Sequence, residues 1–300
     1  MQSASLSRAH FLLALAVVAI WGSNFVVIKQ GLTHLPPLFF AALRFTLAFA
    51  PAALFVKRPK VSWANLIGYG LLLGVGQFGL LFVALKGHIT PGLASLVIQM
   101  QVFFTIGLAV ARAGERLKAY QLAALALAAA GLGLIIVYAG GSATPLGLGL
   151  VLLAALSWAF ANMLMRGAGR IDMLAYVVWA SIFSVPPLLA LSFTLEGWQA
   201  DWQGLLAADT LTWAAVIWQA VANTMFGFGA WGWLLARYPT ATVTPMALLV
   251  PFFGMASSAL LLGEPMQGWK LIASALVIGG LALNLLWPRL ANPPSAPATR

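Results

Sequence analysis

Gly114-Glu115-Arg116-Leu117 precedes a run rich in alanine and glycine that ends Ala130-Gly131-Leu132, and Gly263-Glu264-Pro265-Met266 precedes another that ends Gly279-Gly280-Leu281. The two motifs are 149 residues apart, and so are the two run endings. Upstream, Pro91 and Pro239 each open a helix-like run, 148 residues apart. Trp21 with Asn24, and Trp158 with Asn162, fall in the opening segment of each half. Pro51 interrupts the second apolar segment and Pro186-Pro187 the seventh. A chain that repeats itself at about half its length reads as two copies of one unit, an arrangement common in secondary transporters.

Composition says what the unit is made of. The chain has 300 residues, of which 62% are hydrophobic and 7% charged, with a mean hydropathy of +0.96. A soluble domain carries about 25% charged residues. Disorder is excluded, because disordered chains are rich in charge and poor in apolar residues. The lack of cysteine excludes a disulfide scaffold, thiol catalysis and cysteine-ligated metals. The net charge of +10 does not point to nucleic acid, because the Lys and Arg residues form no dense run. A polytopic membrane protein remains.

A hydrocarbon core of about 30 Å needs about 20 apolar helical residues. Cut at its charged and Pro/Gly-rich breaks, the chain gives ten such segments: 10–29, 36–56, 66–86, 91–112, 120–138, 146–166, 173–195, 211–237, 240–262 and 268–287. The expected fold is therefore an all-α membrane protein of ten transmembrane helices. Residues 1–140 form the first five-helix repeat and 141–290 the second, with 291–300 a disordered tail. Five is odd, so the second repeat enters the bilayer upside down. Arg8 followed by an apolar run invites a signal-peptide reading, but no small-residue cleavage site follows, and an uncleaved first helix is expected. The break 196–210, with Trp198 and Trp202, suits the membrane interface. Twelve of the 16 basic residues fall on the side of the N-terminus and three on the other, with Arg44 inside a segment. That bias predicts both termini in the cytoplasm.

Polar residues inside such segments are the candidates for function. Asn24, Gln77, Gln99, Gln101, Asn162, Gln219 and Asn223 are all intramembrane amides. An amide is uncharged and supplies donors and an acceptor together, which suits a small zwitterion or neutral metabolite. The same side chains also hold membrane helices to one another, and either role is open to each of them. Trp179, Trp218, Trp231 and Trp233 could line a pathway, whereas Trp269 and Trp287 fit interface anchors. Arg44 could meet a substrate carboxylate, snorkel outward or cap backbone carbonyls. Glu115 and Glu264 sit just before helices, where a carboxylate satisfies free N–H groups; that role is favoured over proton coupling. His10, His34 and His88 lie at segment ends, and no His–carboxylate cluster forms, so neither a membrane serine protease nor a metal hydrolase is expected. No metal or cofactor is implied.

Trp21-Gly22-Ser23-Asn24-Phe25-Val26-Val27-Ile28-Lys29, Leu43-Arg44-Phe45, Gly92-Leu93-Ala94-Ser95-Leu96-Val97 with Gln99 and Gln101, Gly114-Glu115-Arg116-Leu117, Ser157-Trp158, Val178-Trp179 and Leu248-Leu249-Val250-Pro251 together resemble the EamA family of the drug/metabolite transporter superfamily. The resemblance implies a multi-pass protein of the bacterial inner membrane that exports O-acetylserine, cysteine and similar neutral amino acids; the alternative within the same superfamily is an exporter of another neutral metabolite or drug. It implies a cavity lined by the first, third, fourth, sixth, eighth and ninth helices, in a monomer or weak homodimer whose partners are substrate and lipid. It also favours a structural role for Arg44, since the family carries Arg-Phe across different substrates. From the placement of the amides and the repeat, Asn24, Gln77, Gln99 and Asn162 are expected to hold the amino acid, Trp158 to close over its apolar side, and Gln101, Trp179 and Asn223 to complete the substrate-binding set.

Overall fold

The computed structural model describes residues 6–113, 118–169 and 171–291. The first Gly-Glu motif, with Glu115, lies outside the described residues, as do Arg170 and the expected tail beyond Ala291. Ten long helices follow one another: α1 Arg8–Gly31, α2 Pro37–Leu54, α3 Trp63–Gly87, α4 Pro91–Arg112, α5 Ala119–Tyr138, α6 Pro145–Gly167, α7 Met173–Leu191, α8 in the consecutive pieces Thr210–Ile217, Trp218–Phe226 and Gly227–Arg237, α9 Thr244–Leu262 and α10 Gly268–Ala291. No strand occurs among the described residues; Ile89 and Ala143 form an isolated bridge. Nine described helices are long and apolar enough to cross a membrane. The chain is an all-α membrane protein of the expected class.

Local chemistry explains the starts and stops. The side chains of Ser7, Ser62, Thr144, Asp172 and Asp209 each accept a backbone N–H in the first turn of α1, α3, α6, α7 and α8. Pro37, Pro91 and Pro145 open α2, α4 and α6, where the missing N–H would be unpaired anyway. In α2 the regular helix stops at Phe49, just before Pro51, and resumes as a tighter turn over Ala52–Leu54. After α7 the chain runs through Ser192–Gly197, and Gly197 at φ +91°, a value that favours glycine, starts a short separate helix, Trp198–Ala207. Trp198 and Trp202 face out from it and Asp201 faces in.

Helix partners obey an exchange of the two halves. The helix pair α1–α9 has its counterpart in α6–α4, α1–α8 in α6–α3, and α2–α8 in α7–α3, while α2–α7 and α5–α10 map onto themselves. The start of α1 and the end of α10 lie on one face, called here the terminal face; the loops after α1 and α3 lie on the opposite face. Close crossings carry the packing. A Cβ on Gly70 would come 2.3 Å from Ala180 O, and one on Gly74 2.2 Å from Ser184. Ala126-xxx-Ala130 of α5 and Ala275-xxx-Gly279 of α10 have the small-residue spacing that lets helix backbones approach, but the stripes that pack are shifted from that expectation by two residues. Ala126, Ala130 and Ala275 are exposed, and Ala124, Ala128, Gly131, Ala273 and Val277 are buried instead. Gly131 lies against Val277, and Gly280 against Ala124 O. In so alanine-rich a run several phases of the same spacing coexist, and the shape of the partner helix decides among them.

Candidate substrate site

Two helices depart from α geometry at matching places. Leu71–Gly79 of α3 is π-helical, and so is Trp218–Phe226 of α8, which begins and ends 147 residues later. Wider turns of this kind are rare and concentrate at functional sites. Gln77 lies in the first, and Gln219, Asn223 and Thr224 in the second. α4 and α9 tighten instead. In α4, Gln99 N–H and Gln101 N–H bond to Leu96 O and Ile98 O, three residues back, and Thr244–Leu249 of α9 is a 3-10 turn.

The structure joins four of the expected amides to partners across the halves. Gln219 Nε2 donates to Asn24 Oδ1 at 2.5 Å, linking α8 to α1. Asn162 Nδ2 donates to Gln101 Oε1 at 3.0 Å, linking α6 to α4. Asn223 is buried, and its backbone carbonyl accepts from Trp21 Nε1 at 3.2 Å. Gln77 and Gln99 are buried as well. Trp158 packs against the main apolar core. Trp179 stands apart from this network: its Nε1 donates to Val56 O at 2.9 Å and its ring meets Phe49 edge-on, near the terminal face.

Arg44 is fully buried on α2. Its Nη2 donates to Thr224 Oγ1 at 3.1 Å, and the Thr224 hydroxyl donates to Gln219 O at 2.8 Å. Its guanidinium lies 3.5 Å over the Phe78 ring. It therefore touches both π segments at once. It does not snorkel, since none of it is exposed, and its Thr224 bond reaches no backbone carbonyl. Thr224 was not legible as a site residue, because its bond to Gln219 spans five residues, a π register that no α-helical spacing argument finds. Gln219 had a signal, being four residues before Asn223 and so on its face.

On the opposite face, two carboxylates of the second half cap helices of the first. Glu264 accepts Gly92 N–H at 3.0 Å at the start of α4, the hydroxyls of Thr90 and Ser258, and Lys270 Nζ at 2.9 Å. Burial alone would raise the Glu264 carboxyl; the bonds from Ser258, Thr90 and Lys270, with the Lys270 charge, outweigh it and hold the group below the usual carboxylate range. Glu264 thus caps a helix, but α4 rather than the one it precedes. Glu196 accepts Leu38 N–H at 2.9 Å and Phe39 N–H at 3.3 Å at the start of α2. A surface cavity of about 530 Å³ opens on the terminal face between Phe55–Lys60 and the start of α7, and none of the amides lines it.

Ten helices in two exchangeable halves, with uncharged polar pairs between them, define a membrane transporter of the inverted-repeat class. The sequence profile of the EamA-like transporter family matches residues 9–137 and again 145–286. The chain belongs to that family. Over 287 residues it is 44% identical to a probable amino-acid metabolite efflux pump of Salmonella typhimurium, spanning 93% of this chain and 96% of the relative. A protein of the same description from Escherichia coli is 42% identical over 286 residues, with the same coverage. A solved crystal structure with 21% identity superposes at a TM-score of 0.64, covering 96% of this chain and all of the other, and supports the fold.

Proposed function

We propose that the protein exports small neutral amino acids and their derivatives, O-acetylserine and cysteine among them, by alternating access between its two halves. The observation that carries this is the pair of cross-half amide bonds, Asn24–Gln219 and Gln101–Asn162. Each joins one helix of each half through uncharged groups that can exchange a partner for a zwitterion when the halves part. The descriptions of the two efflux-pump relatives favour the same substrate class. The terminal face is cytoplasmic, and Asn24, Gln77, Gln99, Gln101, Asn162 and Asn223 form the polar lining. Trp158 provides an apolar wall.

Counterflow in proteoliposomes tests it. Vesicles loaded with unlabelled cysteine or O-acetylserine should accelerate uptake of labelled O-acetylserine without a proton gradient. Vesicles loaded with sugar or a cationic dye should not; acceleration by those instead would move the protein to another cargo. Asn162→Ala and Gln99→Ala should each raise the half-saturating concentration about fivefold, the effect of one hydrogen bond. If both leave exchange intact at equal protein levels, the site assignment is wrong.

A further inference from the structure

Five buried side-chain polar atoms have no hydrogen-bond partner among the described residues: Arg44 Nε and Nη1, Gln77 Oε1, Trp218 Nε1 and Gln219 Oε1. All five belong to Arg44 or to the two π segments that it touches. Buried polar groups are nearly always paired, and a buried charge without a counter-ion is the costliest exception. Among the described residues neither the Lys270–Glu264 ion pair nor the His34–Asp209 contact includes Arg44. Among the described residues its positive charge meets a hydroxyl and aromatic faces and no carboxylate.

We propose that Arg44 is the carboxylate anchor of the transport site, so that the exported molecules are α-amino acids with a free carboxylate rather than their amides, esters or amines. This rests on the amino-acid export reading above. The guanidinium offers five N–H donors along two forked edges, and Nη2 contributes one hydrogen to each edge. Thr224 occupies a single Nη2 hydrogen, so whichever it takes, the other edge keeps a complete two-pronged face for a carboxylate. The unpartnered amide oxygens of Gln77 and Gln219, in the flanking π segments, are acceptors of the kind that an ammonium group needs. One positive fork and two neutral acceptors match a zwitterion. A molecule carrying only the ammonium would leave the Arg44 charge uncompensated.

The test uses the purified full-length protein in proteoliposomes exchanging labelled O-acetylserine. Unlabelled cysteine should compete, and cysteinamide, which lacks only the carboxylate, should not. Arg44→Lys keeps the charge and removes the fork. It should raise the half-saturating concentration at least about tenfold while the maximal exchange rate holds, and it should narrow the gap between cysteine and cysteinamide by a similar factor. Cysteinamide competing as well as cysteine on the unaltered protein overturns the anchor without any variant and leaves amino-acid export standing. So does wild-type half-saturation in Arg44→Lys. The converse failure is separable: exchange of simple carboxylates such as pyruvate that depends on Arg44, with amino acids ignored, would keep the anchor and remove the amino-acid reading.

Discussion

Glu264 shows at the residue scale how a spacing argument can be right in kind and wrong in destination. A carboxylate just before a helix is expected to cap it. This one reaches instead across to Thr90 and Gly92, 172 residues earlier in the chain at the Gly92 N–H. Nothing in a linear pattern names a partner so far away. Lys270, 1% exposed, depends on the same carboxylate for its counter-charge. Glu264→Gln should therefore lower stability by about 3 kcal/mol at neutral pH, the usual cost of breaking a buried pair from one side. The folded group titrates below its unfolded value, so its stabilisation is complete above about pH 4.3 and fades as the pH falls through the folded value. Thermal unfolding in detergent should accordingly show the gap between Glu264→Gln and the unaltered protein at pH 7, and show it shrinking below pH 4. The intramembrane amides were legible as a class because a polar residue in an apolar run is conspicuous. Their pairing was not, since Asn24 meets Gln219 and Gln101 meets Asn162 only through the tertiary fold.

At the scale of the element, helix ends followed from charge, capping residues and proline, which act locally. The phase of α5 against α10 did not, because its alanines offer many equivalent stripes. That correction makes a sharp prediction. Gly131→Leu pushes a side chain into Val277 and Ala273 O, where even a Cβ would lie at 2.7 and 3.0 Å. Overpacking of this kind costs about 1–3 kcal/mol and should lower the unfolding temperature and membrane abundance. Ala126→Leu, on the exposed side of the same helix, should leave both unchanged. The π segments were equally hidden, since no residue type marks them. Deleting Val221, an exposed residue within the second segment, should restore α register there and swing Thr224 away from Arg44. The expected result is a folded, membrane-inserted protein whose exchange drops to background.

For the whole molecule, the repeat was legible from a few motifs at one offset, and the exchange of helix partners follows from it. The charge bias gives an expected orientation, and the cysteine-free sequence makes it directly measurable. A membrane-impermeant maleimide applied to intact cells should label Gln199→Cys, exposed on the opposite face, and spare Lys60→Cys, exposed on the terminal face. The reverse pattern would turn the molecule over. Both carboxylate caps on the opposite face run from the second half to the first, so parting the halves on that side means releasing Gly92 or Leu38 N–H from its partner.

The cap from Glu264 also sets a timetable for biogenesis. When α4 leaves the ribosome, the residue that completes its first turn has not been made. At 5–20 residues per second, the 172 residues between Gly92 and Glu264 take roughly ten to thirty seconds to synthesise. During that interval the nascent first half sits in the bilayer with the Gly92 N–H of α4 lacking its Glu264 partner. Only the hairpin of α9 with α10 supplies it, so the first half of this repeat protein is finished only once the end of the second repeat has been made.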